Sequence, residues 1–167
     1  LDELAKHHVG GHLKVAPEHI SDPVLKLMKK PRKDNFLEFK REFEKASKRA
    51  GKEQYLVPYF ISSHPGSDIN SMIELAQFLK KNGFKPQQVQ DFIPTPMDVA
   101  TCMYYTDIDP ITMNPVYVAK NIRDKKMQRA LMQFFKPENY FMVREALEQA
   151  GRQDLIGTHC DALIPTY

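Results

Sequence analysis

Cysteine is nearly absent from this chain of 167 residues, which holds only Cys102 and Cys160. The two stand far apart and in no Cys-x-x-Cys frame, so neither a disulfide framework nor a zinc knuckle is supported. A reducing, cytoplasmic setting is the default expectation. No run approaches the roughly 20 apolar residues that a membrane-spanning helix needs, which excludes the membrane as a partner of that kind. No charge of one sign dominates: the formal net charge is +3, too mild to announce nucleic acid unless the cations cluster on one face. Internal repeats and low-complexity segments are missing too. The opening Leu1-Asp-Glu-Leu-Ala-Lys6 has neither an initiator methionine nor an apolar targeting segment, and is expected to lie inside a longer polypeptide.

What is present is a hydrophobic content of 42%, enough for one sizeable core. Leu13-Lys-Val-Ala-Pro-Glu18 is strand-like and leads through His19 into a helix with Asp22 as the expected N-cap and Pro23 in the first turn. Phe36, Phe39, Phe43, Ala46 and Ala50 recur at spacings of three and four and end at Gly51, which predicts a strongly amphipathic second helix. Tyr55–Ile61 is a second apolar run. It ends in Ser63-His-Pro-Gly66, and Ser67-Asp68 caps a helix that buries Met72, Leu75, Phe78 and Leu79. A third run, Val89–Pro96, follows directly. Strands alternating with helices across short connections call for a parallel sheet, either open or half of a barrel. From about Thr101 a connection rich in proline and aspartate leads to a helix expected over 116–135 and another opened by Pro137. The tail 155–165 has no assignable pattern. Two segments result, 1–100 and a helical extension over 101–167.

The carboxyl ends of parallel strands are where ligands bind in such folds, which places Glu18, His19, Ser63, His64 and Gly66 on one expected rim. Each also has a plainer explanation: a carboxylate near a helix N-terminus is favoured without a ligand, and Pro-Gly is a common turn. His8 and His12 have the spacing of two metal ligands on a helix, but Gly10-Gly11 between them argues against a helix there, so no metal residue is assigned. Lys120, Arg123, Lys125, Lys126 and Arg129 form a basic stripe. It is either a solvated face or a contact for nucleic acid.

Three blocks carry a resemblance. Leu13-Lys-Val-Ala-Pro-Glu-His-Ile-Ser-Asp-Pro-Val-Leu-Lys-Leu-Met-Lys-Lys-Pro31, Ser63-His-Pro-Gly66, and Gln90-Asp-Phe-Ile-Pro-Thr-Pro-Met-Asp-Val-Ala-Thr-Cys-Met-Tyr104 resemble the YgiQ family of radical SAM proteins. Gln128–Phe135 and Gly151–Gly157 extend the match. The resemblance implies an α/β fold: a partial (β/α) TIM-like barrel of about three parallel strands with crossover helices, then a helical C-terminal region. It also implies S-adenosylmethionine and a [4Fe-4S] cluster in the full-length parent. By the same resemblance, Glu18 and His19 end the fourth barrel strand beside the methionyl or ribose part of the cofactor. Ser63, His64 and Gly66 correspond to the Gly-x-Pro-Gly that ends the fifth, with Ser63 in the place of its first glycine. Phe92, Ile93 and Pro94 fall on the sixth, beside adenine.

The Cys-x-x-x-Cys-x-x-Cys loop that binds the cluster is absent, and two distant cysteines cannot replace it. The chain is therefore expected to be inactive alone and to need as its partner the missing N-terminal half of the same protein. The substrate is not indicated. Two rival readings stand beside this one: a nucleic-acid-binding α/β module that uses the basic helix, and a self-sufficient half-barrel acting on a phosphate ligand.

Overall fold

The computed structural model describes residues 1–166; the expected 101–167 extension reaches one residue beyond them. Three parallel strands, β1 (His12–Glu18), β2 (Tyr55–Ser62) and β3 (Gln90–Asp91), form one sheet in the order β1-β2-β3. Helices α1 (Asp22–Leu27) and α2 (Lys33–Arg49) connect β1 to β2, and α3 (Ile69–Lys81) connects β2 to β3. Helices α4 (Val99–Thr106), α5 (Ile122–Met132) and α6 (Tyr140–Gln149) follow β3. The strand-helix alternation expected from sequence is thus present.

Period-two patterning sets the two faces of the sheet. Leu13 and Leu56, paired in register, pack with Phe39, Phe43 and Ala46 of α2. On the opposite face the His12 and Tyr55 rings lie 5.9 Å apart at a tilt of 33°, and the Lys14 ammonium lies 5.9 Å from the Tyr59 ring centroid. The larger core lies on the α3 flank, where Leu75 and Leu79 meet Met127 and Leu131 of α5 and Val143 and Leu147 of α6. This packing joins the helical C-terminal part to the sheet.

Several local expectations are corrected. The N-cap of α1 is Ser21, not Asp22. The Asp22 carboxylate instead accepts from the backbone N–H of Lys33 at 3.1 Å and from Arg32 Nε at 3.0 Å, so it satisfies an orphan donor at the start of α2. β3 is only two residues long, and Phe92, Ile93 and Pro94 lie beyond it. Phe92 still donates its N–H to Ser62 O at 2.8 Å, but Pro94 and Pro96 have no N–H to continue the ladder. The helix expected from Val116 begins at Ile122, where Asn121 accepts from the Asp124 N–H at 2.8 Å. Residues just before it are engaged elsewhere: Val116 N–H donates to Asp107 O at 2.8 Å and Tyr117 O accepts from Gly66 N–H at 2.7 Å. Ile122, the first residue of that helix, is exposed. The tail is ordered by Leu163 N–H donating to Leu155 O at 2.7 Å, with Leu155, Leu163 and Ile164 buried.

Candidate functional site

Both long strands end in the same way. Glu18 closes β1 at φ 68° and Ser63 follows β2 at φ 61°, each a left-handed turn followed by a histidine, His19 and His64. A side chain in this conformation costs roughly 1–2 kcal/mol relative to the right-handed regions, and such strain persists where surrounding structure fixes it. At the first turn a bulge does so: the register passes from Val15↔Pro58 to Glu18↔Phe60, one extra residue on β1. The repeated Glu-His and Ser-His pairs were a readable signal that both connections share one geometry.

A cleft of about 320 Å³ opens at this rim and is lined by Glu18, Lys29, Lys30, His64, Phe92 and Asp98 together with apolar Ile61 and Val99. Three of the expected site residues, Glu18, His64 and Phe92, therefore converge. His19, Ser63, Gly66, Ile93 and Pro94 do not line it. Ile93 points its bulk to solvent, with 63% of its surface exposed. Gly66 is structural: its φ is 88°, and a Cβ there would come 2.2 Å from Leu27 Cδ1.

The groups in the cleft have defined hydrogen-bonding states. Lys30 Nζ lies 3.4 Å from Glu18 Oε1 and donates to Ala16 O at 2.7 Å, so the carboxylate is held at the mouth of the cleft by a cation. His64 Nδ1 is 2.8 Å from Pro65 O; a carbonyl only accepts, so Nδ1 carries the proton and Nε2 keeps its lone pair. Burial lowers the pKa of His64, and the ring meets Phe92 edge-on at 5.1 Å. At neutral pH this cleft offers two carboxylates, Glu18 and Asp98, two ammonium groups, one neutral imidazole acceptor and an aromatic wall.

Behind the cleft lies a buried polar cluster. His19 Nδ1 accepts from Ser21 N–H at 3.0 Å, so Nε2 bears the proton and faces Ser67 Oγ at 3.4 Å. Ser67 Oγ donates to Gln128 Oε1 at 3.2 Å; the same oxygen accepts from Ser63 N–H at 2.8 Å, and Gln128 Nε2 donates to Ser67 O at 2.6 Å. Gln128, from α5, thus pins the connection after β2. Sequence reasoning missed it, although a glutamine between Met127 and Leu131 on the inward face of a helix is a polar residue in an apolar place. The pKa of His19 is lowered to about 4, by burial first and then by the neighbouring His64, with Asp68 opposing.

The other candidates separate. His8 ends a π-helical turn over Leu4–His8 and His12 opens β1, so they do not share a helical face; among the described residues no group of three or more His, Cys, Asp or Glu is placed to hold a metal. The basic stripe is largely neutralised within the chain. Lys120 pairs with Asp107 at 2.7 Å, Arg123 with Glu145, and Arg129 with Asp91 at 3.4 Å, while Lys125 lies over the Tyr104 ring at 5.2 Å. Among the described residues no helix is long and apolar enough to cross a membrane.

The chain is similar to UPF0313 proteins. It is 55% identical over 163 residues to the UPF0313 protein of Clostridium botulinum (strain 657 / Type Ba4), covering 98% of this chain and 26% of that protein. It is 51% identical over 164 residues to the one of Methanosarcina acetivorans, covering 98% of this chain and 22% of that protein. The chain thus spans about a quarter of the length of the curated relatives it matches. Residues 87–167 match the family model described as Domain of unknown function (DUF3362). No solved structure matches.

Proposed function

We propose that this chain forms one wall of the S-adenosylmethionine site in a YgiQ-like radical SAM protein, the cluster-bearing remainder lying in the N-terminal part of a longer polypeptide. One observation carries the reading: Glu18, His64 and Phe92, three residues that the resemblance assigns to the cofactor, line a single cleft at the carboxyl ends of parallel strands. The similarity to UPF0313 proteins, the YgiQ-like family, over nearly the whole chain supports it. So does the length of those relatives, which leaves room for the rest of a barrel.

The residues fit the cofactor chemically. Phe92, Ile61 and Val99 offer an apolar wall for adenine, Glu18 an acceptor for ribose hydroxyls or an ammonium, and Lys29 an ammonium for a carboxylate. When bound beside an iron-sulfur cluster, S-adenosylmethionine supplies radical chemistry. This chain does not fit the cluster itself, since Cys102 and Cys160 are its only cysteines. Its own contribution is to bind and orient, with the neutral His64 presenting an acceptor and the Lys30 contact aiming Glu18. The test is equilibrium binding of S-adenosylmethionine to the full-length polypeptide. Glu18→Ala is expected to weaken affinity by about 1–3 kcal/mol, the usual loss of a hydrogen bond to a charged group; unchanged affinity would remove Glu18 from the site.

A further inference from the structure

We propose that residues 93–122 form an interface covered by the remainder of a longer polypeptide, through a face that is apolar and bears lysine or arginine. Between Lys85 and Lys120 the sequence contains no lysine, arginine, histidine or glutamate; its only charges are Asp91, Asp98, Asp107 and Asp109. Most of the exposed large apolar side chains of the described residues fall between 93 and 122. Met97 is fully exposed at 103%, Met113 is 70% exposed and Ile111 is 62% exposed. Single exposed apolar residues are ordinary, but a concentration of them beside a ligand cleft marks an interaction site.

These side chains are presented by stiff turns. The Asp109 carboxylate accepts from Ile111 N–H at 3.0 Å and from Thr112 Oγ1 at 2.8 Å, and Met113 N–H donates to Asp109 O at 2.7 Å. Thr101 Oγ1 donates to Thr95 O at 2.6 Å, and Asp98 accepts from Ala100 N–H at 2.9 Å, which fixes the turn around Met97. Both Met97 and Met113 have positive φ, at 69° and 60°. The first of these turns in the chain also stands at the cleft, since Asp98 and Val99 line it.

Two facts select the occupant. The chain spans about a quarter of its relatives, so a large tethered remainder is available at high effective concentration. A second copy would bring against itself a strip in which Asp98, Asp107 and Asp109 outnumber the single Lys120, which like-charge repulsion disfavours. The inference rests on the length of the relatives and on this surface, and is independent of what the cleft binds.

Methionine oxidation measured by peptide mapping of the native full-length polypeptide tests it. Met72, Met103, Met127 and Met132, all at 0–1% exposure, set the rate for buried methionine. If the strip is covered, Met97 and Met113 oxidise at least about tenfold more slowly than methionine in a short peptide, because reaction follows access. Rates for Met97 and Met113 close to that of the peptide overturn the proposal. So does protection that disappears on dilution to a protein concentration where sedimentation shows only monomer, since a second copy would then be the cover.

Discussion

Lowering the pH acts most strongly on His19. The ring is 1% exposed, and its pKa falls from the ordinary 6.5 to about 4 in the folded chain. Folding therefore favours the neutral ring, because the protonated form would lose hydration inside the core and face His64. The stabilisation is complete above the unfolded pKa and is lost as pH drops through the interval from 6.5 to about 4. A full shift of this size corresponds to about 3 kcal/mol, of which about 2 kcal/mol is already lost near pH 5. His64, lowered in pKa by burial, acts in the same direction. Urea unfolding at several pH values measures the slope, and His19→Asn isolates its source, because the asparagine oxygen can still accept from Ser21 N–H while the titration is gone. The wild-type chain is expected to lose about 2 kcal/mol more than the variant between pH 7 and pH 5. Parallel stability profiles for the two proteins would refute the assignment of this acid sensitivity to His19.

Gly66→Ala is expected to destabilise by about 1–2 kcal/mol, mainly through its left-handed φ, while the end of the half-buried Leu27 side chain shifts away from the new Cβ; a thermal melt with no downward shift would contradict the strained backbone. Gln128→Leu leaves Ser63 N–H and Ser67 O without their buried partner and is expected to cost about 2–6 kcal/mol in urea titrations, each orphaned group contributing roughly 1–3. A loss below about 0.5 kcal/mol, typical of surface substitutions, would show that the pin is dispensable. The isolated chain should bind no [4Fe-4S] cluster and release no 5′-deoxyadenosine after anaerobic reconstitution. A visible charge-transfer band accounting for four irons per chain would contradict that expectation, given roughly three or four thiolates needed for such a cluster.

The sheet and its crossover helices were legible because their signals are local and repeated. Phe39, Phe43 and Ala46 on α2 and the cap Asp68 of α3 needed no tertiary information. The limits of β3 and the start of α5 were harder. Asn114-Pro115 has the form of a helix start, but the backbone of Val116 and Tyr117 is taken by Asp107 and Gly66, contacts that lie far away in sequence. Asn121, with its bond from Asp124 N–H, was the readable cap. In the cleft, position on the rim was predictable from strand ends, whereas orientation was not. His19 and His64 occupy equivalent places, yet one joins a buried cluster and the other the cleft. The choice is made by Ser67 and Gln128 on one side and by Pro65 and Phe92 on the other.

The most direct measurement of the central claim is a structure of the full-length polypeptide with S-adenosylmethionine bound. The cofactor is expected in the rim cleft, touching Glu18, His64 and Phe92, with the Glu18–Lys30 pair at its mouth. A cofactor seated away from these three residues, with the cleft filled only by solvent, would contradict the account.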